Sequence, residues 1–354
     1  MAARRWSLGD WVLLAALVAF LALAVAFGLL AYAGRTFDGL ALCGGLCGVP
    51  LLVFAGGLVV VSVAQHLAKR HLALEISPPT AAPGDEVRAV VQLRLTAAAR
   101  VRSISVTLRG TEEAVLTDRE AEQRERRVIV EEVRELLRPL PGGATHSLFP
   151  GTHQYQTTFR LPQDALPSYT GVTVVVEYEI TAHVDRPRAL DLVLDRTLRV
   201  IPKEGVPPAA KPEEDVESTL SGSVALALEL LEEEVAGGRI SGRVLVSNPE
   251  GRTIREVTVA FGCLERVSAR GRSSRRFTPM TAAAFREPKG EALVFALDVP
   301  REVPAPFRGA ISSVRFAVQA HANVALAGSA SVTKTVRISG IGRTHRPDRA
   351  PPTP

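Results

Sequence analysis

The side chains best equipped for chemistry in this 354-residue chain are three cysteines, seven histidines and one close run of arginines. Cys43 and Cys47 stand four apart. On a helix they share one face, and a thiolate pair there could hold a metal. Both fall inside a long apolar run, where cysteines read as small buried hydrophobes. Cys263 stands alone in an alternating, strand-like segment, so no disulfide framework is expected and a reducing compartment fits. His146 and His153 flank strand-like segments and His183 lies in one; all three read as surface or strand-end residues. The cluster Asp185-Arg186-Pro187-Arg188 has the form of a hairpin corner. There is no Gly-x-Ser-x-Gly elbow, no phosphate loop, no His-Glu-x-x-His and no cysteine pair at zinc spacing outside the apolar run. The expectation is a non-enzyme without cofactor or metal.

What remains is electrostatics. Net charge is +5. Between Gly251 and Gly290 nine Arg or Lys face three Glu. Within that stretch Arg270, Arg272, Arg275 and Arg276 are expected in a Gly/Ser-rich loop between strands. There they would meet anionic lipid or an acidic partner, or simply be solvated. So local a basicity does not read as a nucleic-acid footprint, and the partner expected is a protein of unknown identity. The oligomeric state is not legible.

The elements that must carry these residues begin with two apolar runs. No charged residue occurs from Trp11 to Ala33, nor from Leu40 to Ala64, and each run exceeds the ~20 residues that cross a bilayer core as a helix. Residues 11–33 and 40–66 are therefore expected to form a transmembrane hairpin, in which Gly44 and Gly48 allow close helix approach and Pro50 kinks the second helix. Ala31-Tyr32-Ala33 has the form of a signal-cleavage site, but the run is longer than a signal's apolar region, which favours an uncleaved anchor. Arg4 and Arg5 precede the hairpin, Lys69 and Arg70 follow it, and Arg35 between the spans is offset by Asp38. The positive-inside rule then puts both termini, and everything after residue 71, in the cytoplasm of an inner or plasma membrane.

Beyond the anchor, strands dominate. Leu72–Ile76, Glu86–Leu95 and Val101–Leu108 alternate and are separated by turn residues. The doubly charged run Asp118–Arg138 could be a solvated helix, but Val128-Ile129-Val130 favours a protected edge strand. A loop is expected at Pro139–Thr145. Pro202–Ser218, with two Lys against five acids when Thr219 is included, reads as a stiff acidic linker. Further strands are expected at Ser223–Leu230, Gly238–Asn248, Glu256–Leu264, Ala292–Leu297, Ser313–Ala322 and Ala330–Ile338, ahead of a disordered tail over 341–354.

The most specific stretch is 151–180, GTHQYQTTFRLPQDALPSYTGVTVVVEYEI. It alternates from His153 to Leu161, stops at Pro162, turns at Pro167-Ser168-Tyr169-Thr170-Gly171 and resumes as a strand from Val172 to Val184. Tyr155, Phe159 and Leu161 are expected to face inward. This order resembles the late strands of the N-terminal domain in arrestin-like proteins, including the α-arrestins and the bacterial sporulation-control proteins. The Gly237–Asn248 pattern is similar to the opening of an arrestin C-domain. The resemblance implies an all-β fold of two tandem arrestin-like, immunoglobulin-like antiparallel β-sandwiches, over 72–201 and 219–340, behind the two-helix hairpin. It also implies a non-catalytic adaptor or scaffold that binds other proteins, which the expected hairpin would tether at the cytoplasmic face. The alternative is a structural envelope protein with an extracytoplasmic sandwich. The interdomain charge network and phosphate-reading basic residues of arrestins find no matching positions in this sequence. Nor does any proline pair carry the following tyrosine of a Pro-Pro-x-Tyr motif.

Overall fold

In the ten residues Glu86–Leu95, the side chains of Val87, Ala89, Val91 and Leu93 are fully buried while their neighbours face outward. That two-residue period is what a pleated strand with one face on a core demands, and it recurs throughout. The computed structural model describes residues 70–117, 122–187, 189–203, 217–219, 224–232, 234–235, 238–269, 271–288, 292–300, 303–325 and 328–338. The expected spans 11–33 and 40–66, the cytoplasmic N-terminus 1–10, most of the linker and the tail 341–354 lie outside them. Among the described residues no helix is long and apolar enough to cross a membrane.

The first half contains β1 (Leu72–Ser77), β2 (Thr80–Ala81), β3 (Glu86–Leu95), β4 (Ala99–Val101), β5 (Ser103–Thr117) and β6 (Glu122–Leu137). It continues with β7 (His146–Leu148), β8 (Gly151–Arg160), β9 (Tyr169–Thr170), β10 (Val174–Asp185) and β11 (Leu192–Val200). One layer is the sheet β1-β3-β8. The other runs β2-β11-β10-β5-β6 with β9 on β10, and β4 pairs separately with β7. The second half contains β12 (Glu217–Thr219), β13 (Ala225–Leu230), β14 (Glu234–Val235), β15 (Arg239–Ser247) and β16 (Ile254–Ala269). After these come β17 (Arg272–Arg286), β18 (Ala292–Asp298), β19 (Phe307–Arg308), β20 (Ser312–Val324) and β21 (Gly328–Ile338). Its larger sheet runs β12-β21-β20-β16-β17, with β14 on β21 and β19 on β20, and β13-β15-β18 forms the smaller one. Buried side chains of both halves join in one hydrophobic cluster.

Four expectations change. The strand over Val101–Leu108 becomes β5, which continues to Thr117, because the inward phase Ile104, Val106, Leu108 persists through Ala114 and Leu116 across a polar interruption. The Arg-rich segment is not an extended loop: Gly271 takes φ +75° in a tight turn, and Arg272, Arg275 and Arg276 lie in β17. The segment is polar because β17 is the edge of its sheet, and charged side chains guard exposed edges. The end of the expected linker is also structured, since Glu217 and Ser218 already pair with β21. Finally, Phe159 and Leu161 are buried as expected, but Tyr155 is only half-buried. The run Asp118–Arg138 does yield an edge strand, β6, in which Ile129, Val130, Leu136 and Leu137 are half-covered while Val128 and Val133 stay exposed among the charges.

Candidate functional site

The period of β5 sends residues 104, 106, 108, 110, 112, 114 and 116 to the same face, and residue 112 is a glutamate. In β16, Val257, Val259, Phe261, Cys263, Val267 and Ala269 are buried in the same way, and residue 265 of that phase is again a glutamate. Glu112 is 0% exposed and Glu265 1%. A carboxylate withdrawn from water is costly unless hydrogen bonds replace its hydration. Here each half of the chain supplies them to the other.

Glu265 accepts hydrogen bonds from the Tyr169 hydroxyl (2.8 Å), the Val172 N–H (3.1 Å), the Thr173 N–H (2.6 Å) and the Thr173 hydroxyl (2.6 Å). Glu112 accepts from the Ala310 N–H (3.1 Å), the Ile311 N–H (3.2 Å) and the Ser312 hydroxyl (2.6 Å). The seats are built alike. In the first half the Gly171 N–H donates to the Val174 carbonyl and the Val115 N–H to the Thr173 carbonyl; in the second the Gly309 N–H donates to the Ser312 carbonyl and the Ser268 N–H to the Ile311 carbonyl. Glu112 stands opposite Val176 as Glu265 stands opposite Val314. Each turn follows a two-residue strand that opens with an aromatic ring. Those rings, Tyr169 and Phe307, meet edge to face at 5.6 Å.

The glycines follow from this geometry. A Cβ on Gly171 would lie 2.1 Å from Glu265 Oε1, and one on Gly309 would lie 2.1 Å from Glu112 Oε1. Only a bare backbone lets its amides close on the carboxylate. Electrostatics reflects the seat as well. Burial alone would raise the Glu265 carboxyl, but the Thr173 hydroxyl and amide, the Tyr169 hydroxyl and the Val172 amide outweigh it and hold the group below the usual carboxylate range. Burial, reinforced by Glu265, drives the Tyr169 hydroxyl far upward, and burial next to Glu265 pushes the Cys263 thiol up to about 11.

This depression has a stability consequence. In the unfolded chain Glu265 takes up its proton near the ordinary value of about 4.3. In the folded chain it does so at lower pH, so acid favours unfolding across that window. The stabilisation is complete above the unfolded value and is lost as pH falls through the folded one. Melting of wild type against Glu265→Gln from neutral to acidic pH is expected to show a wild-type advantage that shrinks below about pH 4.5. A constant gap across the series would contradict the assignment.

The arrangement has the chemistry of a joint. Carboxylates held by amides and hydroxyls fix two bodies in one orientation. Sequence reading missed both glutamates, although their signal is in the sequence: a charge standing on the core phase of an otherwise apolar strand. The residues it did single out lie elsewhere. Arg272, Arg275 and Arg276 are exposed on β17, where Arg276 stands opposite Glu265 on β16, and Arg270 lies outside the described residues. His146 Nε2 lies 2.8 Å from the Arg138 carbonyl and His153 Nε2 2.8 Å from the Phe149 carbonyl, while His183 lies 3.1 Å from an Asp191 oxygen. Asp185 and Arg186 do form the corner between β10 and β11. Cys263 is buried, and Cys43 and Cys47 lie outside the described residues.

No curated protein matches the chain. A family model does: the one described as "Arrestin (or S-antigen), N-terminal domain" matches residues 72–206, the whole of the first half from β1 through β11. Residues 72–206 thus match an arrestin N-terminal domain, and this first half of the chain is arrestin-like.

Proposed function

We propose that this protein is a membrane-tethered adaptor that binds protein partners at the cytoplasmic face, without catalysis. The observation that carries the reading is the pair of crossed carboxylate seats. They make one body of an arrestin N-terminal domain and a second β-rich half, here given the part of the C-domain. Family membership supports the adaptor role in general terms. The tether rests on the apolar runs 11–33 and 40–66, and the cytoplasmic location on the cations at their outer flanks. The basic start of the edge strand β17, from Arg270 through Arg272 and Arg275 to Arg276, is the surface offered to an acidic partner.

The test places a topology reporter after Arg343 and photocrosslinking residues at positions 272, 275 and 276 of the full-length protein in cells. Internal reporter activity, together with a recurrent protein adduct that is lost when the arginines become Ser, is the expected result. A reporter found outside would favour the structural envelope protein instead. An internal reporter with no protein adduct at any of the three positions would remove the arginines as the contact.

A further inference from the structure

The register of the first half fixes which of its ends meets the segment that precedes it. Leu72, where β1 begins, pairs with Leu93, and Leu95 pairs with Gly151. His71 Nδ1 lies 3.1 Å from the Arg94 carbonyl. Across the second layer Asp185 pairs with Ser103 and Ile104 with Leu137, and in the separate β4–β7 pair Ala99 stands opposite Leu148. The segment 96–98, the connection from β6 through β7 to β8 and the corner between β10 and β11 therefore all gather at the end where the chain enters β1. Glu112 is nine residues from Ser103 along β5, so this end lies ~30 Å from the carboxylate seats.

Three large apolar side chains are exposed in these loops. Phe149 is 76% exposed, Leu190 43% and Leu140 38%. Phe149 follows β7 directly, and its carbonyl is engaged by His153. Leu140 opens the turn Pro141–Gly143, which the Arg138–His146 contact closes. Leu190 is likewise held, because its carbonyl accepts from the Arg186 side chain. Exposed apolar groups on pinned loops mark a surface that something covers. At the same end Arg70, Arg94, Arg100 and Arg138 are also exposed, and the Arg138 side chain, 3.7 Å from Glu135, keeps 85% of its accessible area.

We propose that this loop end rests on an anionic bilayer, with Phe149, Leu140 and Leu190 entering the headgroup–acyl boundary and the arginines meeting lipid phosphates. Building on the tether proposed above, the occupant follows from chain length. Only residues 67–71 separate the expected second span from Leu72, and six steps of extended chain reach ~20 Å at most. An end that cannot leave the bilayer's neighbourhood, and that presents an aromatic ring, two leucines and cations toward it, has the composition of an interfacial contact. The arginines of β17 belong to the seat region instead, where Arg276 stands opposite Glu265. The lipid contact is thus assigned to the loop end, and the β17 cations are left to a protein partner.

The test uses the full-length chain in vesicles of mixed anionic and zwitterionic lipid, with its two tryptophans, Trp6 and Trp11, replaced by Phe. Single tryptophans are introduced by Phe149→Trp, by Leu190→Trp and, as a control at a 74%-exposed site on β18, by Val294→Trp. The vesicles carry lipids brominated near the headgroup end of the acyl chain. Strong quenching and a blue-shifted emission are expected for the first two variants and neither for the third. Absence of quenching at 149 and 190, or equal quenching at all three, overturns the proposal. Alkaline carbonate extraction of the same vesicles reports on the tether alone. A chain that resists extraction while its loop-end tryptophans stay unquenched therefore keeps its anchor and loses the bilayer contact.

Discussion

Glu265→Ala is expected to destabilise the protein by about 3–5 kcal/mol, the summed cost of leaving several neutral donors buried without an acceptor. The loss exceeds that of a typical surface substitution because four donors, from Tyr169, Val172 and Thr173, are left without their acceptor at once. Glu265→Gln keeps one carbonyl oxygen for those donors but turns an amide NH2 toward the rest, and should cost about 1–3 kcal/mol. Thermal melting of the detergent-solubilised chain measures the global effect, and hydrogen exchange locates it. The Val172 and Thr173 amides should exchange much faster in the Ala variant, while Ala310 and Ile311, seated on Glu112, should be far less affected. Unchanged melting and unchanged exchange at 172–173 would show that the carboxylate stabilises nothing.

The second seat permits a sharper experiment. The three nearest atoms that a Cβ on Gly309 would meet belong to the Glu112 carboxylate, and Gly309 is not in the left-handed backbone region. Gly309→Ala therefore carries no conformational penalty and acts by displacing the carboxylate. It should cost about 1–3 kcal/mol in the wild-type background, in the range of an overpacked site. In a Glu112→Ala background, where the obstructing side chain is gone, the same substitution should cost close to nothing. The double-mutant cycle isolates that coupling. Equal costs in the two backgrounds would mean that the glycine is required for some reason other than the seat.

Most strands were legible because their alternation is strong. Glu86–Leu95 is recovered residue for residue, and β8, β13, β15, β18, β20 and β21 are recovered to within two or three residues at either end. The proline-punctuated stretch 151–180 was enough to point to the family. The failures share a cause. Reading by hydrophobicity ends a strand at the first charge on its core face, which cut the first expectation for β5 short at Leu108, four residues before Glu112. Reading by glycine and serine content turns a polar edge strand into a loop, which hid β17. The seats were invisible for a further reason. Glu112 needs the amides of Ala310 and Ile311, about two hundred residues away. A buried charge makes sense only once its distant donors are known. The short pattern of an aromatic, one residue and a glycine, at Tyr169–Gly171 and Phe307–Gly309, was present in the sequence but too brief to be seen as a repeat.

The crossed arrangement of the seats also restricts how the chain can change over generations. Neither half contains both parts of either seat, so a substitution at Glu112 can be compensated only among residues 309–312, and one at Glu265 only among 169–173. Exchanging the second half for that of a distant relative would break both seats together, even if each half folded perfectly by itself. Seven hydrogen bonds, three at Glu112 and four at Glu265, thus couple the halves, so that neither is a freely interchangeable module.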